Sequence, residues 1–448
     1  MTIWTPVLPQ NDTPIYRRIA DQLEHDVSRG VLLPGSRLPT HRQLAHRLGV
    51  TVVTVTRAYS EAHHRGLIES AVGRGSFVRA TRTKAAVTRD IDFAMNVVAG
   101  DFALGDALAE RIAAVIATPY NVGAGSERHR SAGATWIADA RPDAAASRVV
   151  VTTGAQQAIF LAFAALTKPG DTILCEALTY HGAKSAAALL HVNTEPVATD
   201  RFGLVPDALA KALRKRSSPK VLYMLPTLQN PTGSIMPEKR RREIAALAEK
   251  HGVTIVEDDV YRFLTTDAPR AVTSHVPERG VYIAGVGKCL APALRTGYLL
   301  APDALLPRIQ QALAASSLFA SPFGAEIAAT AIEDGTAARA AAQKREVIAV
   351  RRRIATRVLG RLAGHADAQS PHLFVELPSP WSAESFAAEA RQRRVRVTAA
   401  GAFATGESAP EAVRVSLGAP ATAAEVEIGL NVLLSLLDRD EPERDTVV

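Results

Sequence analysis

Lys288 stands where an amine can do covalent chemistry. It lies in Gly285-Val286-Gly287-Lys288-Cys289, directly after the apolar run 281–284, with Arg295 seven residues further on. An amine attacks an aldehyde only when its surroundings lower its pKa, and the end of a buried strand is such a place. Upstream stand Glu257-Asp258-Asp259-Val260-Tyr261, Asn230-Pro231-Thr232-Gly233 and Thr153-Gly154-Ala155-Gln156. A carboxylate aimed at a pyridine nitrogen keeps that nitrogen protonated and makes the ring an electron sink. Asp258 has the position for this. Adjacent strand-end residues point to opposite sides, so only one of Asp258 and Asp259 can face the ring. Tyr261 and Asn230 carry donors for a ring hydroxyl oxygen. Gly154, Ala155 and Gln156 open a helix after a strand, where free N–H groups suit a phosphate. Arg295 can hold the same phosphate with two hydrogen bonds. Together these groups describe a pyridoxal phosphate (PLP) site in which Lys288 forms the Schiff base. Singly, each has a plainer reading: a surface lysine or arginine, an Asn-Pro turn, an Asp-Asp helix cap. Their joint occurrence at four strand ends carries the argument.

The elements that must position these residues alternate along the chain. Short apolar strands are expected at 149–152, 172–175, 221–225, 254–256 and 281–284. Helices are expected at 156–166 and 237–250, the latter with Pro237 at its start and Gly252 after its end. A further α/β segment begins near residue 318, and residues 438–448 read as a charged, frayed end. This alternation indicates a mainly parallel α/β sheet. Ligands of such sheets sit beyond the carboxyl ends of the strands, where every candidate residue falls.

The first 80 residues follow another pattern. Thr13-Pro14 opens a helix with Ile15, Ile19, Leu23 and Val27 on one stripe. Thr40-His41-Arg42-Gln43 is a capping box, Leu44, Ala45 and Leu48 face inward, and Gly49 ends that helix. Thr51 caps a third helix with Val55, Ala58 and Tyr59 buried, although the run Thr51-Val52-Val53-Thr54-Val55-Thr56 alone looks like a strand. Residues 67–78 form a hairpin with Gly73-Arg74-Gly75 at its tip. Three helices and a wing make a winged helix-turn-helix, whose second paired helix enters the major groove. The charge agrees. Residues 1–84 hold 12 Lys+Arg against 6 Asp+Glu, giving +6 of the chain's formal +7. A basic patch of this kind attracts polyanions.

Two resemblances follow. Leu38-Pro39-Thr40-His41-Arg42-Gln43-Leu44-Ala45, Leu48-Gly49-Val50-Thr51 and Gly73-Arg74-Gly75-Ser76-Phe77-Val78 resemble the GntR family of bacterial regulators. That resemblance implies DNA contacts by Arg42, by Thr51, Thr54 and Arg57 at the start of the recognition helix, and by Arg74 in the wing. Val52 and Val53 depart from the polar residues usual there, which reduces the groups available to read base edges. The second resemblance is to fold type I PLP enzymes of the aspartate aminotransferase-like group. It implies that Tyr180 stacks on the pyridine ring. It implies that Tyr120 reaches the phosphate of a neighbouring subunit, and that Arg414 holds an amino acid carboxylate. Gly285 and Gly287 stand where serines are common, Val122 where a proline is, and alanines flank Gly401 where a proline often stands. The fusion resembles the MocR subfamily of regulators.

The resulting expectation is an α/β chain in three parts. Residues 13–79 are a winged helix-turn-helix, 80–90 a linker, and 91–448 an aminotransferase-like PLP domain with a mainly parallel sheet. Its expected function is a bacterial, cytoplasmic, homodimeric transcriptional regulator. It binds an operator with two half-sites and senses PLP or an amino-acid-like effector. A working aminotransferase carrying a DNA-binding attachment is the alternative. A length of 448 residues requires more than one core, and 47% hydrophobic with 22% charged residues suits a globular chain. Two cysteines argue against a disulfide framework or a cysteine zinc site. No apolar run approaches the ~20 residues needed to span a bilayer, and the first residues lack the pattern of a signal peptide.

Overall fold

The computed structural model describes residues 4–6, 8, 13–28, 32, 36–65, 67–71, 75–78, 90–98, 115, 123–215 and 221–438. Arg74, Tyr120, Val122 and the linker residues 80–89 lie outside them. The chain divides into two units, Met1–Arg89 and Asp90–Val448.

In the first unit, α1 (Ile15–Ser28), α2 (His41–Leu48) and α3 (Val52–His64) precede the antiparallel strands β1 (Ile68–Ala71) and β2 (Gly75–Val78). The Thr40–Gln43 capping box is formed, and Gly49 closes α2 in the left-handed conformation. Thr51 accepts from the Thr54 N–H and starts α3. The β-branched run is therefore helical. Its cap satisfies an orphan donor, and Val55, Ala58, Tyr59 and Ala62 bury one face at helical spacing. Val52 and Val53 point outward, 43% and 69% exposed. Ile19 and Leu23 are fully buried, whereas Ile15 is 38% exposed and leaves the expected stripe, because it sits in the first turn of α1. Leu48 packs on the core only in part. Trp4 joins this core and donates to Asp26 at 2.8 Å. Arg65 binds Asp21, Glu24 and Glu61, tying the end of α3 to α1.

The second unit opens with β3 (Ile91–Asp92). The large sheet then uses β4 (Val149–Thr152), β5 (Thr172–Glu176) and β6 (Asn193–Val197). A small hairpin, β7 (Thr199–Asp200) and β8 (Gly203–Leu204), follows. The sheet continues with β9 (Val221–Met224), β10 (Thr254–Asp258), β11 (Gly280–Gly285) and β12 (Gly297–Leu300). Its order is β4-β12-β11-β10-β9-β5-β6. All pairings are parallel except those of β12, which runs against β11 and β4. Almost every residue of β4, β5, β9, β10 and β11 is buried, as expected for strands covered on both faces. The helices 155–166, 181–189 and 306–317 cover one face with a common core, and Phe163, Ile173, Val256 and Leu299 lie within it.

Strand reversal at β12 matters for the site. Because β12 starts where its parallel neighbours end, Gly297 pairs with both Gly285 and Thr152. Arg295 and Thr296 therefore arrive at the same edge as Lys288, Gly154 and Asp258. A smaller antiparallel sheet follows, ordered β13 (His372–Glu376), β16 (Ala412–Ser416) and β15 (Thr398–Ala399), while β14 (Val395–Arg396) pairs with β3. Strand β10 extends through Asp258 instead of stopping at residue 256, so that carboxylate belongs to the strand's last position.

Candidate functional site

A cavity of about 360 Å³ lies at the carboxyl edge of the large sheet. Lys288, Asp258, Asn230, Tyr261, Tyr180, Arg295, Arg414 and the segment 154–156 all line it. Of the residues singled out in this unit from the sequence, Tyr120 and Val122 lie outside the described part.

Lys288 is half-buried beyond β11. Its Nζ donates to the Asn96 carbonyl at 2.7 Å and lies 4.8 Å from the centre of the Tyr261 ring. Burial pulls its pKa down to about 8; Asp258 opposes this, while Arg414 and Arg295 add to it. The amine is thus neutral in a useful fraction of molecules near neutral pH.

Asp258 and Asp259 diverge as strand geometry requires. Asp258 is buried and accepts from the Tyr223 hydroxyl at 2.9 Å through Oδ2, while Oδ1 has no partner. Burial pushes its pKa up to about 6. Asp259 accepts from the Tyr282 hydroxyl at 2.8 Å, faces Arg262 at 3.7 Å, and does not line this cavity. A buried carboxylate that lines a cavity with one oxygen unpaired calls for a donor from a ligand.

Opposite stands an anion cradle. The helix Ala155–Leu166 begins without a side-chain cap, so its first N–H groups remain available. Gly154 holds φ +81°, and a Cβ there would lie 3.3 Å from the Arg295 guanidinium. Backbone and guanidinium thus share one space, as an anion held by both requires. The Gln156 side chain is otherwise engaged, donating to the Gly182 carbonyl at 2.8 Å. Tyr180 starts the helix His181–Leu189, and a Cβ on Gly182 would stand 2.4 Å from its ring.

Arg414 sits in β16 and is buried. Its Nη1 donates to Asn230 Oδ1 at 2.9 Å, its Nη2 to the Ala94 carbonyl and, at 3.4 Å, to Thr398 Oγ1. Its Nε has no partner, and the guanidinium lies 4.8 Å from the Phe403 ring. Its partners are an amide, a carbonyl and a hydroxyl, so the structural ion pair that would compete with a ligand role does not form.

Sequence reasoning missed several groups. Tyr223 positions Asp258, and the one signal for it is a tyrosine inside an apolar buried strand. His181 lines the cavity against Tyr180, with ring centres 4.8 Å apart; burial first, then Arg414, lowers its pKa. Residues 94–97 also line the cavity, and nothing in their types marked them. The buried His372, held down to about 3 by burial, bonds the Gln229 carbonyl at 2.8 Å and packs on Tyr261.

In the first unit, Arg42, Thr51 and Arg57 are exposed and Thr54 is half-buried. The hydroxyls of Thr51 and Thr54 bond each other at 2.9 Å, so part of their capacity is spent on the cap. Arg57 lies over the Tyr16 ring at 5.5 Å.

The donor set matches the chemical parts of PLP: an amine for the aldehyde, a carboxylate for the ring nitrogen and a cradle for the phosphate. Residues 112–433 match the family of aminotransferases of class I and II, and residues 15–78 the bacterial regulatory proteins of the gntR family. The chain is 31% identical over 448 residues to the uncharacterized HTH-type transcriptional regulator YdeF of Bacillus subtilis (strain 168), covering 97% of each chain. The chain belongs to the MocR-type transcriptional regulators. Its aminotransferase-like unit has the fold of an archaeal alanine:glyoxylate aminotransferase (TM-score 0.72, 22% identity, 79% of this chain and 92% of that one). The α-aminoadipate aminotransferase LysN of Thermus thermophilus is similar in the same sense (TM-score 0.70, 23% identity, 85% and 98%). Its regulator function follows from the family; the fused unit is aminotransferase-like and α/β, with a mostly parallel sheet. Among the described residues, no helix is long and apolar enough to cross a membrane.

Proposed function

We propose that this MocR-type regulator holds PLP on Lys288 and reads an amino-acid-like effector at the same site. The observation that carries the reading is buried Asp258, which has Oδ1 unpaired and lines the same cavity as Lys288. The Thermus relative's structure contains N-(5'-phosphopyridoxyl)-L-leucine, which supports the same class of ligand here.

Bound PLP supplies an aldehyde and an electron-withdrawing ring. The chain's own residues supply the rest. Asp258 would accept a hydrogen bond from the protonated ring nitrogen, and Tyr223 orients that carboxylate. The N–H groups at the start of helix 155–166 and the Arg295 guanidinium bind the phosphate. Tyr180 covers one face of the ring, while Tyr261 and Asn230 serve its hydroxyl oxygen. Lys288 brings a partly deprotonated amine to the aldehyde carbon. Arg414 receives the effector carboxylate, its free Nε completing a two-pronged contact. Tyr120 of a second copy reaches the phosphate, making the active form a homodimer.

The DNA-binding surface comprises Arg42 on α2, Thr51, Thr54 and Arg57 on α3, and Arg74 in the wing. A dimer presents two such surfaces to two half-sites in the cytoplasm of a bacterium. A second reading, a working aminotransferase, draws support from the completeness of the groups around Lys288. Two assays on the purified protein decide. Retention of a visible cofactor band that Lys288→Ala abolishes, with a footprint on DNA beside its own gene, supports the regulator. Steady conversion of an amino acid and a keto acid supports the enzyme.

A further inference from the structure

Three cationic side chains from three separate elements hold three alternate carbonyls of one short segment. The Ala94 carbonyl accepts from Arg414 Nη2, that of Asn96 from Lys288 Nζ at 2.7 Å, and that of Val98 from Lys344 Nζ at 2.9 Å. Residues 94–97 line the cavity, and Val98 is buried beside Tyr261. The Asn96 side chain adds Ser416 at 3.3 Å and His372 at 3.2 Å. Lys344, which does not line the cavity, also donates to the Lys288 carbonyl at 3.0 Å. The segment runs so close to residue 418 that a Cβ there would stand 1.9 Å from the Val97 carbonyl. Just before it, Asp92 accepts from the N–H groups of Ala94 and Met95. The unit begins at Asp90, and the chain before that leads to the gntR-type unit.

We propose that residues 94–98 form a strap latched by Lys288 and Arg414 and released when those residues take up an aldehyde and a carboxylate. This rests on the assignment of the two residues given above. The chemistry of release is explicit. When the Lys288 nitrogen adds to an aldehyde carbon, a C=N bond forms and the aldehyde oxygen leaves as water with both amine hydrogens. The nitrogen, now at the aldehyde carbon, has no amine hydrogen left for the Asn96 carbonyl. At Arg414 the side-on edge of the guanidinium consists of Nε, which is unpartnered, and Nη2, which holds the Ala94 carbonyl. A carboxylate that takes both N–H groups of this edge displaces that carbonyl. Lys344 keeps the Val98 end anchored, and the pairing of β3 with β14 and the Ser416 N–H bond to the Phe93 carbonyl keep the other, so release frees the cavity-lining stretch between them. An aldehyde at Lys288 and a carboxylate at Arg414 thus act on the same chain segment through two contacts, which is the differential interaction that coupling between sites requires.

The test is hydrogen–deuterium exchange over residues 90–98 of the full-length protein, with cofactor absorption read on the same samples. In cofactor-free wild type the strap exchanges slowly. Loading with PLP speeds exchange at 94–98 on the order of tenfold, the worth of one charge-assisted hydrogen bond. Cofactor-free Lys288→Met, which keeps the apolar stem, exchanges at the faster rate and does not respond to PLP. Lys288→Ala behaves likewise and serves if the first variant folds poorly. Cofactor capture with unchanged exchange overturns the strap and leaves the cofactor assignment standing. Failure of the wild type to capture PLP overturns that assignment. The latch is then judged on the lysine variants alone, where faster exchange supports it and exchange equal to wild type refutes it.

Discussion

Replacing Asp258 with Asn separates the cost of the site from its use. The carboxylate is buried, and its pKa rises from an ordinary 3.8 to about 6. An acid with a raised folded pKa destabilises the fold when ionised. The cost is absent below the unfolded value, grows as pH rises from about 4 to 6, and is full above 6. The rise corresponds to about 3 kcal/mol, an upper bound on what neutralisation recovers. Asn keeps the Tyr223 hydrogen bond through its amide oxygen and turns its NH₂ toward the cavity. Cofactor-free Asp258→Asn should therefore melt a few degrees above wild type at pH 7.5, with the gain vanishing near pH 4. The same change deprives the ring nitrogen of an ionised acceptor, a loss of about 1.5–3 kcal/mol. The PLP dissociation constant should rise on the order of tenfold to a hundredfold. Differential scanning fluorimetry of stripped protein and absorbance titration with PLP measure the two effects. Asp259→Asn should do the reverse, lowering stability through loss of the Arg262 pairing while sparing the cofactor. A less stable cofactor-free Asp258→Asn, or a larger cofactor defect in Asp259→Asn, would refute the assignment.

Other outcomes follow from the same geometry. The rate of PLP capture should climb with pH through about 8, where Lys288 loses its proton, and fall away below about 6, where Asp258 gains one; a flat profile from pH 6 to 9 would contradict both. Gly154→Ala, strained at φ +81° and crowding Arg295, should weaken PLP on the order of tenfold, and inorganic phosphate should compete less well in that variant. Arg414→Ala should abolish the spectral response to amino acids while leaving that to simple amines, as a titration of each class will show. DNA affinity should fall steeply with salt, and Arg42→Ala should reduce the salt slope by about 1 without altering cofactor absorption. Sedimentation at micromolar concentration should give a dimer, and a monomer there would remove Tyr120 from the site.

The site was legible where chemistry and local geometry coincide. Lys288, Asp258 and Gly154 each follow a recognisable apolar strand, and strand alternation alone separates Asp258 from Asp259. The capping threonine Thr51 overrode the β-branched composition of α3, because a cap fixes the backbone before side-chain preference can act. What the sequence concealed were contacts made by backbone carbonyls. Ala94 and Asn96 reach the site through main-chain oxygens, which carry no residue signature and lie some 190 to 320 positions from Lys288 and Arg414. Tyr223 was hidden for another reason: in a strand buried on both faces, a tyrosine that packs and one that orients a carboxylate look alike. The reversal of β12 was likewise unmarked, since its run is as apolar as its parallel neighbours.

The central claim is that ligand chemistry at Lys288 changes DNA binding. Fluorescence anisotropy of the full-length protein on its own upstream intergenic DNA, at fixed salt, tests it directly. Measurements would be made cofactor-free, with PLP, and with PLP plus the amino compound that most strongly shifts its spectrum. The account predicts a change in DNA dissociation constant of about fivefold or more between these states, in the range of ordinary allosteric coupling, and no change in Lys288→Ala. Equal affinity in all three states of the wild-type protein would contradict it.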